Sequence, residues 1–214
     1  CLFTDGDHGL NMISHSKLAM DTIEYYEKNA KAYFDETIGL DMIELYGPFL
    51  ALLPHRGKIL DAGCGSGRDS LYFKKQGFNV TAFDASAELV RLSSHLLEQQ
   101  VFQLSFNEVC FRNEFEGVWA CASLLHVPKT DMLTTLGKLV DSLKPKGFLY
   151  ASFKHGASED MRGKRFFNSY DETSFSSLLE GIPNLSVVKM WISEDLRKDR
   201  PNEYWVNVLL RKEG

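Results

Sequence analysis

The sequence predicts an α/β fold: a seven-stranded, mostly parallel sheet with helices on both faces and an antiparallel C-terminal strand. Three observations carry this. Residues 57–69 (Gly-Lys-Ile-Leu-Asp-Ala-Gly-Cys-Gly-Ser-Gly-Arg-Asp) lead from an apolar strand through three alternate glycines into a helical pattern. Strand-like and helix-like segments then alternate to about residue 153, the signature of parallel strand–helix–strand units. Two apolar segments, 185–192 and 203–211, close the chain and fit an antiparallel end pair on such a sheet. Together these features describe a Rossmann-like arrangement.

Residues 1–17 mix Gly, His, Asp and Ser without periodicity, and they read as a disordered tail or as residues foreign to the fold. They have neither the basic start nor the apolar stretch of a signal peptide. A single domain, 18–214, follows, and its first part, 18–54, is a helical cap. Ile23, Tyr26, Ala30, Tyr33 and Phe34 stand at helical spacing over 18–35. A second helix fits 39–53, although Gly47-Pro48 should interrupt it. The first strand is 58–62, with its helix at about 68–76 stopped by Gly77. The second strand is 78–83, and Ser86 caps a helix that runs to about 97. A short third strand lies near 101–106 and the fourth at 118–122. About eleven residues separate them, too few for a crossover helix with its loops, so an eroded connection is expected there. Pro128 opens a helix to about Leu143, and Lys144-Pro145-Lys146-Gly147 turns into the fifth strand, 148–153. The polar stretch 154–170 reads as a long loop, followed by a helix at 171–180.

The glycine loop discriminates between ligands. A dinucleotide fingerprint needs G-x-G-x-x-G and a P-loop needs a lysine after its last glycine, whereas here the spacing is G-x-G-x-G with no such lysine. Asp61 stands two residues ahead of Gly63, where a carboxylate would repel a pyrophosphate and suit a cation. The second strand ends in Asp84, placed to accept hydrogen bonds from both hydroxyls of a ribose. A ribose, no pyrophosphate and a positive group near Asp61 describe S-adenosylmethionine. A nicotinamide dehydrogenase fits neither the spacing nor Asp61.

Composition narrows the setting. The chain has 214 residues, an ordinary apolar share and a net charge of −5, which argues against a broad nucleic-acid surface. Its four cysteines, Cys1, Cys64, Cys110 and Cys121, show no metal-ligand spacing, so no metal is expected, and reduced thiols of a cytoplasmic protein are the reading. No apolar run reaches the length of a membrane span. The oligomeric state is left open.

Three segments resemble the class I S-adenosylmethionine-dependent methyltransferases: Ile59 to Gly67, Val80 to Asp84, and Leu143 to Leu149. Within that class, Trp119 to Pro128 and Arg165-Phe166-Phe167 are similar to a small bacterial branch related to tellurite-resistance methyltransferases. The resemblance implies transfer of a methyl group to a small-molecule acceptor, with S-adenosylhomocysteine as product. It also implies roles. Gly63, Gly65 and Gly67, with Ala62 and Cys64 between and before them, would form the floor under the methionine part, and Asp61 would hold its ammonium, directly or through water. Asp84 would take the ribose, with Ala85 and Ser86 at the adenine edge. Asn107 and Glu108 stand where the family often has an acid for the adenine amino group. Ala122 and Ser123 would line the sulfonium, and Tyr26 would cap the site from the N-terminal helix.

Two residues are candidates for work on the acceptor. His126 follows the fourth strand and offers a general base, against the plainer reading of a histidine bonded to loop backbone. Arg165 stands out of the cluster Lys154, His155, Arg162, Lys164 and Arg165 because Phe166 and Phe167 should pin it near the core, where it would hold an anionic substrate. Tyr33, Phe34, Phe73 and Phe83 read as core. The competing function is a non-catalytic S-adenosylmethionine-binding sensor or docking module. An open cavity beside Ser123 and His126 would favour the enzyme, and one plugged by Trp191 or Phe166 the module.

Overall fold

The computed structural model describes residues 8–197 and 200–214. In chain order the elements are α1 (His8–Thr37), α2 (Ile43–Leu50), β1 (Lys58–Ala62), α3 (Arg68–Lys75), β2 (Asn79–Asp84), α4 (Ala87–Leu97), β3 (Phe102–Gln103), β4 (Phe115–Ala120), α5 (Lys129–Ser142), β5 (Leu143–Lys154), β6 (Glu159–Arg162), β7 (Arg165–Asn168), α6 (Glu172–Leu179), β8 (Leu185–Glu194) and β9 (Tyr204–Lys212). Among the described residues seven strands form one sheet in the order β3-β2-β1-β4-β5-β9-β8. The first five are mutually parallel, and β9 runs antiparallel to both β5 and β8.

Strand alternation distributes the core over both faces. Leu60, Val118 and Leu149 point to the side covered by α5 and α6, where Met132, Leu136, Leu139 and Phe175 are buried. Ile59, Trp119 and Tyr150 point to the other side, against Tyr46 and Phe49 of α2 and Phe73 of α3. There Trp119 and Tyr150 stack with ring centroids 3.9 Å apart. The buried Asp69 anchors this face. It accepts from the Tyr46 hydroxyl at 2.6 Å, the Trp119 indole at 2.7 Å and Arg68 Nε at 2.6 Å. Burial opposes its charged form, but Arg68 and the two other donors outweigh that, so its carboxyl lies below the ordinary value.

The connection between β3 and β4 is eroded as expected, holding a single 3-10 turn, Phe106–Glu108. Four expectations need correction. The first helix reaches back to His8, so 8–17 are not a tail. Extension from a nucleated helix gains one hydrogen bond per residue, and no proline stops it here. The rest of that expected tail, 1–7, lies outside the described residues. The break at Gly47-Pro48 does not occur. The carbonyl that Pro48 leaves without a donor belongs to the exposed Glu44, within reach of water. The fourth strand ends at Ala120, because Ala122 adopts a positive φ of 52°. The stretch 154–170 is no open loop. Strands β6 and β7 pair antiparallel through the two-residue turn Gly163-Lys164, with Gly163 at φ 65°.

Candidate functional site

The site lies at the carboxyl ends of β1, β2 and β4, where open α/β sheets bind ligands. The loop after β1 is turned by Gly63 and Gly65 in left-handed conformation, with φ of 78° and 54°. Its amides are tied down: those of Gly63 and Cys64 donate to the Phe83 carbonyl at 3.0 and 2.9 Å, and that of Gly65 to Asp84 Oδ2 at 2.9 Å. The other oxygen of Asp84 accepts from the Ser86 amide at 2.9 Å. Burial raises the Asp84 carboxyl above its ordinary value, while the Ser86 and Gly65 amides pull it down. A carboxylate has about four lone-pair positions, so two amide donors leave capacity for a bound ligand.

A cavity of about 440 Å³ opens over this loop, within the range of small-molecule sites. Gly63, Gly65, Asp84, Ala85 and Ser86 form one side, and Leu89, Leu104, Phe106 and Asn107 the apolar end. Tyr26 and Tyr33 of α1 close it from above, with Ala122, Ser123 and His126 beyond β4. A second cavity of about 110 Å³ shares Tyr26, Tyr33, Gly63, Ala122 and His126 with the first and continues toward Arg165, Phe167 and Trp205.

The helix α1 is fastened over the site by side chains far away in sequence. Thr22 Oγ1 accepts from the Phe166 amide at 3.0 Å, and Glu27 caps α4 by accepting from the Ala87 and Glu88 amides. The Tyr26 hydroxyl lies 2.9 Å from His126 Nε2, and His126 Nδ1 lies 2.6 Å from the Phe166 carbonyl. A carbonyl only accepts, so Nδ1 carries the proton and Nε2 accepts from Tyr26. Burial, with a contribution from the charge of Arg165, lowers the His126 pKa to about 4. The imidazole is therefore neutral at pH 7 with its one lone pair engaged. That corrects the general-base reading, since a group of such low basicity whose acceptor nitrogen is occupied is poorly suited to take a proton. A consequence for stability follows. The unfolded chain protonates this histidine near 6.5 and the folded one only near 4, so stability falls as pH drops through that window. The loss is up to about 3 kcal/mol. Urea unfolding of the native chain and of His126→Asn across pH 7 to 4 should reveal it as a steeper native slope.

Several other expected residues stand apart from the cavity walls. Asp61 is buried beneath the loop and accepts from Ser70 Oγ at 2.6 Å. Burial, reinforced by the charge of Asp69, pushes its carboxyl up. It lines neither cavity, which disfavours a direct contact with a ligand's ammonium and leaves the expected contact through water. Ala62 is buried, and its carbonyl accepts from Ser123 Oγ at 2.6 Å. Gly67 serves as the left-handed cap of α3. Glu108 is spent on the turn, accepting from the Ser105 amide at 2.8 Å and its hydroxyl at 2.7 Å, so it does not meet the cavity as Asn107 does. Cys64 is buried toward Ser93 and touches only the smaller cavity. Arg165 also lines the smaller cavity, with its guanidinium 4.6 Å over the Tyr25 ring. Among the described residues no group of metal-ligating side chains occurs, and no helix is long and apolar enough to cross a membrane.

Tyr33 and Phe83, read as core from the sequence, both line the larger cavity, and Tyr33 approaches Gly65 closely enough that a Cβ there would meet its ring at 3.1 Å. A signal existed. Tyr33 follows Tyr26 by two helical turns on one face, and the rings meet edge to face at 5.2 Å.

Residues 59–147 match the family described as a methyltransferase domain. The malonyl-[acyl-carrier protein] O-methyltransferase of Pectobacterium atrosepticum is 34% identical over 122 residues, covering 52% of this chain and 46% of the relative. The chain thus spans about half the length of the first curated relatives it matches, 47% and 46%. Among solved structures, the 1,6-didemethyltoxoflavin-N1-methyltransferase of Burkholderia thailandensis, crystallised with 1,6-didemethyltoxoflavin and S-adenosylhomocysteine, superposes with a TM-score of 0.73 at 22% identity. The match covers 100% of this chain and 93% of that one. The [4+2]-cyclase SpnF gives a TM-score of 0.65 at 14% identity, over 79% of this chain and 80% of that one.

Proposed function

We propose that this chain, which has the fold of the class I S-adenosylmethionine-dependent methyltransferases and carries a methyltransferase domain over residues 59–147, binds S-adenosylmethionine in its larger cavity and transfers the methyl group to a small-molecule acceptor. The observation that carries the reading is the cradle after β1. At Gly63 and Gly65 a Cβ would meet Ser123 at 2.5 Å and Tyr33 at 3.1 Å, so the backbone itself is the wall, and Asp84 faces it with free acceptor capacity. Asp84 holds the ribose hydroxyls, Leu104 and Phe106 cover the adenine, and Asn107 meets its edge. Ala122 and Ser123 border the sulfonium, beside the space the two cavities share.

When bound, the cofactor would supply a methyl whose bond to sulfur breaks with the electron pair left on sulfur, as the new bond forms to an acceptor atom that arrives deprotonated, its proton already lost to water. The protein's part is to orient and to exclude water. Such positioning is worth about 7–11 kcal/mol in favourable cases. Tyr26, fixed by His126, shields the reacting side, so His126 acts as a positioning residue.

The fold does not by itself imply methyl transfer, since a protein named as a cyclase shares it. The enzyme reading is favoured over a binding module because the smaller cavity is open beside His126, and neither Trp191 nor Phe166 lines it. The narrower likeness to the tellurite-resistance branch, carried by Trp119 to Pro128 and Arg165 to Phe167, fits an anionic acceptor and a cytoplasmic bacterial protein. Titration calorimetry with S-adenosylhomocysteine tests the reading. Binding in the micromolar range is expected, and no heat at millimolar ligand with folded protein would overturn it.

A further inference from the structure

We propose that the smaller cavity receives the acceptor as a flat molecule bearing a single carboxylate, and that the Arg165 guanidinium is its anchor. The inference rests on the methyl-transfer reading and names the substrate class for it.

Five cations line this cavity, and four are already matched. Arg68 pairs with Asp69 at 2.6 Å. Lys154 bonds Asp195 at 2.8 Å and also Glu203. Arg197 reaches Asp195 at 2.8 Å, and Arg200 reaches Glu36 at 3.5 Å. Asp195 is accordingly held well below the ordinary carboxylate range: burial works against its charge, and Arg197 and Lys154 more than offset it. Arg165 differs. Among the described residues it makes no ion pair with a carboxylate, and its Nε is buried with no hydrogen-bond partner. Glu194, the remaining acid on the wall, is exposed on the edge strand β8, where water screens it.

Arg165 is also held still. Its guanidinium lies 4.6 Å over the Tyr25 ring and 5.2 Å over that of Phe167. The guanidinium also bonds the Tyr26 side chain, so it is held on one side and unpaired at Nε on the other. A stacked, immobile fork with a free Nε suits recognition of a carboxylate. One unmatched positive charge calls for one negative charge, which favours a carboxylate over a doubly charged phosphate. The rings of Phe167, Trp205 and Tyr26 around the same space favour a planar body. A carboxylate clamped by a guanidinium is a weak nucleophile, so the acceptor needs a second group to receive the methyl.

Benzoate and benzamide, alike in shape and different in charge, are the probes. Calorimetry or ligand-observed NMR on the protein, with and without S-adenosylhomocysteine, should give at least about tenfold tighter binding of benzoate. Arg165→Met should erase that preference and leave the affinity for S-adenosylhomocysteine within about threefold, while Arg165→Lys should keep part of it. Equal binding of the two probes to the native chain would overturn the proposal, as would phenyl phosphate binding more tightly than benzoate. So would a drop in S-adenosylhomocysteine affinity for Arg165→Met as large as the drop for benzoate, which would give the guanidinium to the cofactor's own carboxylate. A native chain that ignores S-adenosylhomocysteine yet prefers benzoate would fail the methyl-transfer reading and still support the Arg165 site.

Discussion

Replacing Gly63 with alanine is expected to destabilise the fold by about 3–6 kcal/mol. Gly63 has φ of 78°, where an L side chain costs about 1–2 kcal/mol. The added methyl would lie 2.5 Å from Ser123 Cβ, a distance real carbon atoms do not tolerate. Ser123 cannot simply swing aside, because it is buried and its hydroxyl donates to the Ala62 carbonyl at 2.6 Å. Moving it forfeits that bond as well as packing. Gly65→Ala is the informative contrast. Its added methyl meets the ring of Tyr33 at 3.1 Å, and a ring on the half-buried helix α1 can give. Urea unfolding should therefore separate the two, with Gly63→Ala far the weaker fold. Stability of Gly63→Ala within about 1 kcal/mol of the native chain would mean the loop is not built as described.

Asp84→Ala is expected to lower the affinity for S-adenosylhomocysteine by about 2–4 kcal/mol, roughly 30- to 700-fold. Two hydrogen bonds from ribose hydroxyls to this carboxylate, the role proposed for it, would account for that range. The substitution also frees the amides of Gly65 and Ser86, which the carboxylate accepts at 2.9 Å each. Part of the loss is thus disorder in the loop. Asp84→Asn separates the contributions, because its amide oxygen can keep one backbone bond while the negative charge is gone. Calorimetry on both variants, alongside their unfolding midpoints, checks the result. Unchanged affinity in Asp84→Ala would remove this residue from the site.

What could be read from the sequence was local. The strand, glycine loop and helix over 58–75 declare themselves because each glycine sits where the backbone must turn left-handed. Asp84 was legible because it ends an alternating strand, and the missing crossover helix before β4 because the residues were too few to build one. The hairpin β6–β7 was not legible. Glu-Asp-Met-Arg has no apolar alternation, and its pairing with Arg-Phe-Phe-Asn is fixed by contacts with α1 and His126 that lie far off in sequence. The same distance hid the bond between Tyr26 and His126, which turned a candidate base into a neutral support. Tyr33 was misread for another reason. An aromatic residue on the inner face of a helix gives one pattern whether it meets a core or a cavity.

The position of β9 bears on how the molecule is made. It lies between β5 and β8, two strands that precede it in the chain. During synthesis the parallel half of the sheet can assemble as it emerges, but the edge of β5 stays open until residues 204–212 arrive. Throughout that interval β5 presents unpaired amides and carbonyls along a strand whose side chains are largely apolar, the kind of edge that recruits other chains. β8 waits on the same event, because its ladder in this sheet is with β9. A strand made after both of its neighbours therefore seals the middle of the sheet rather than its rim.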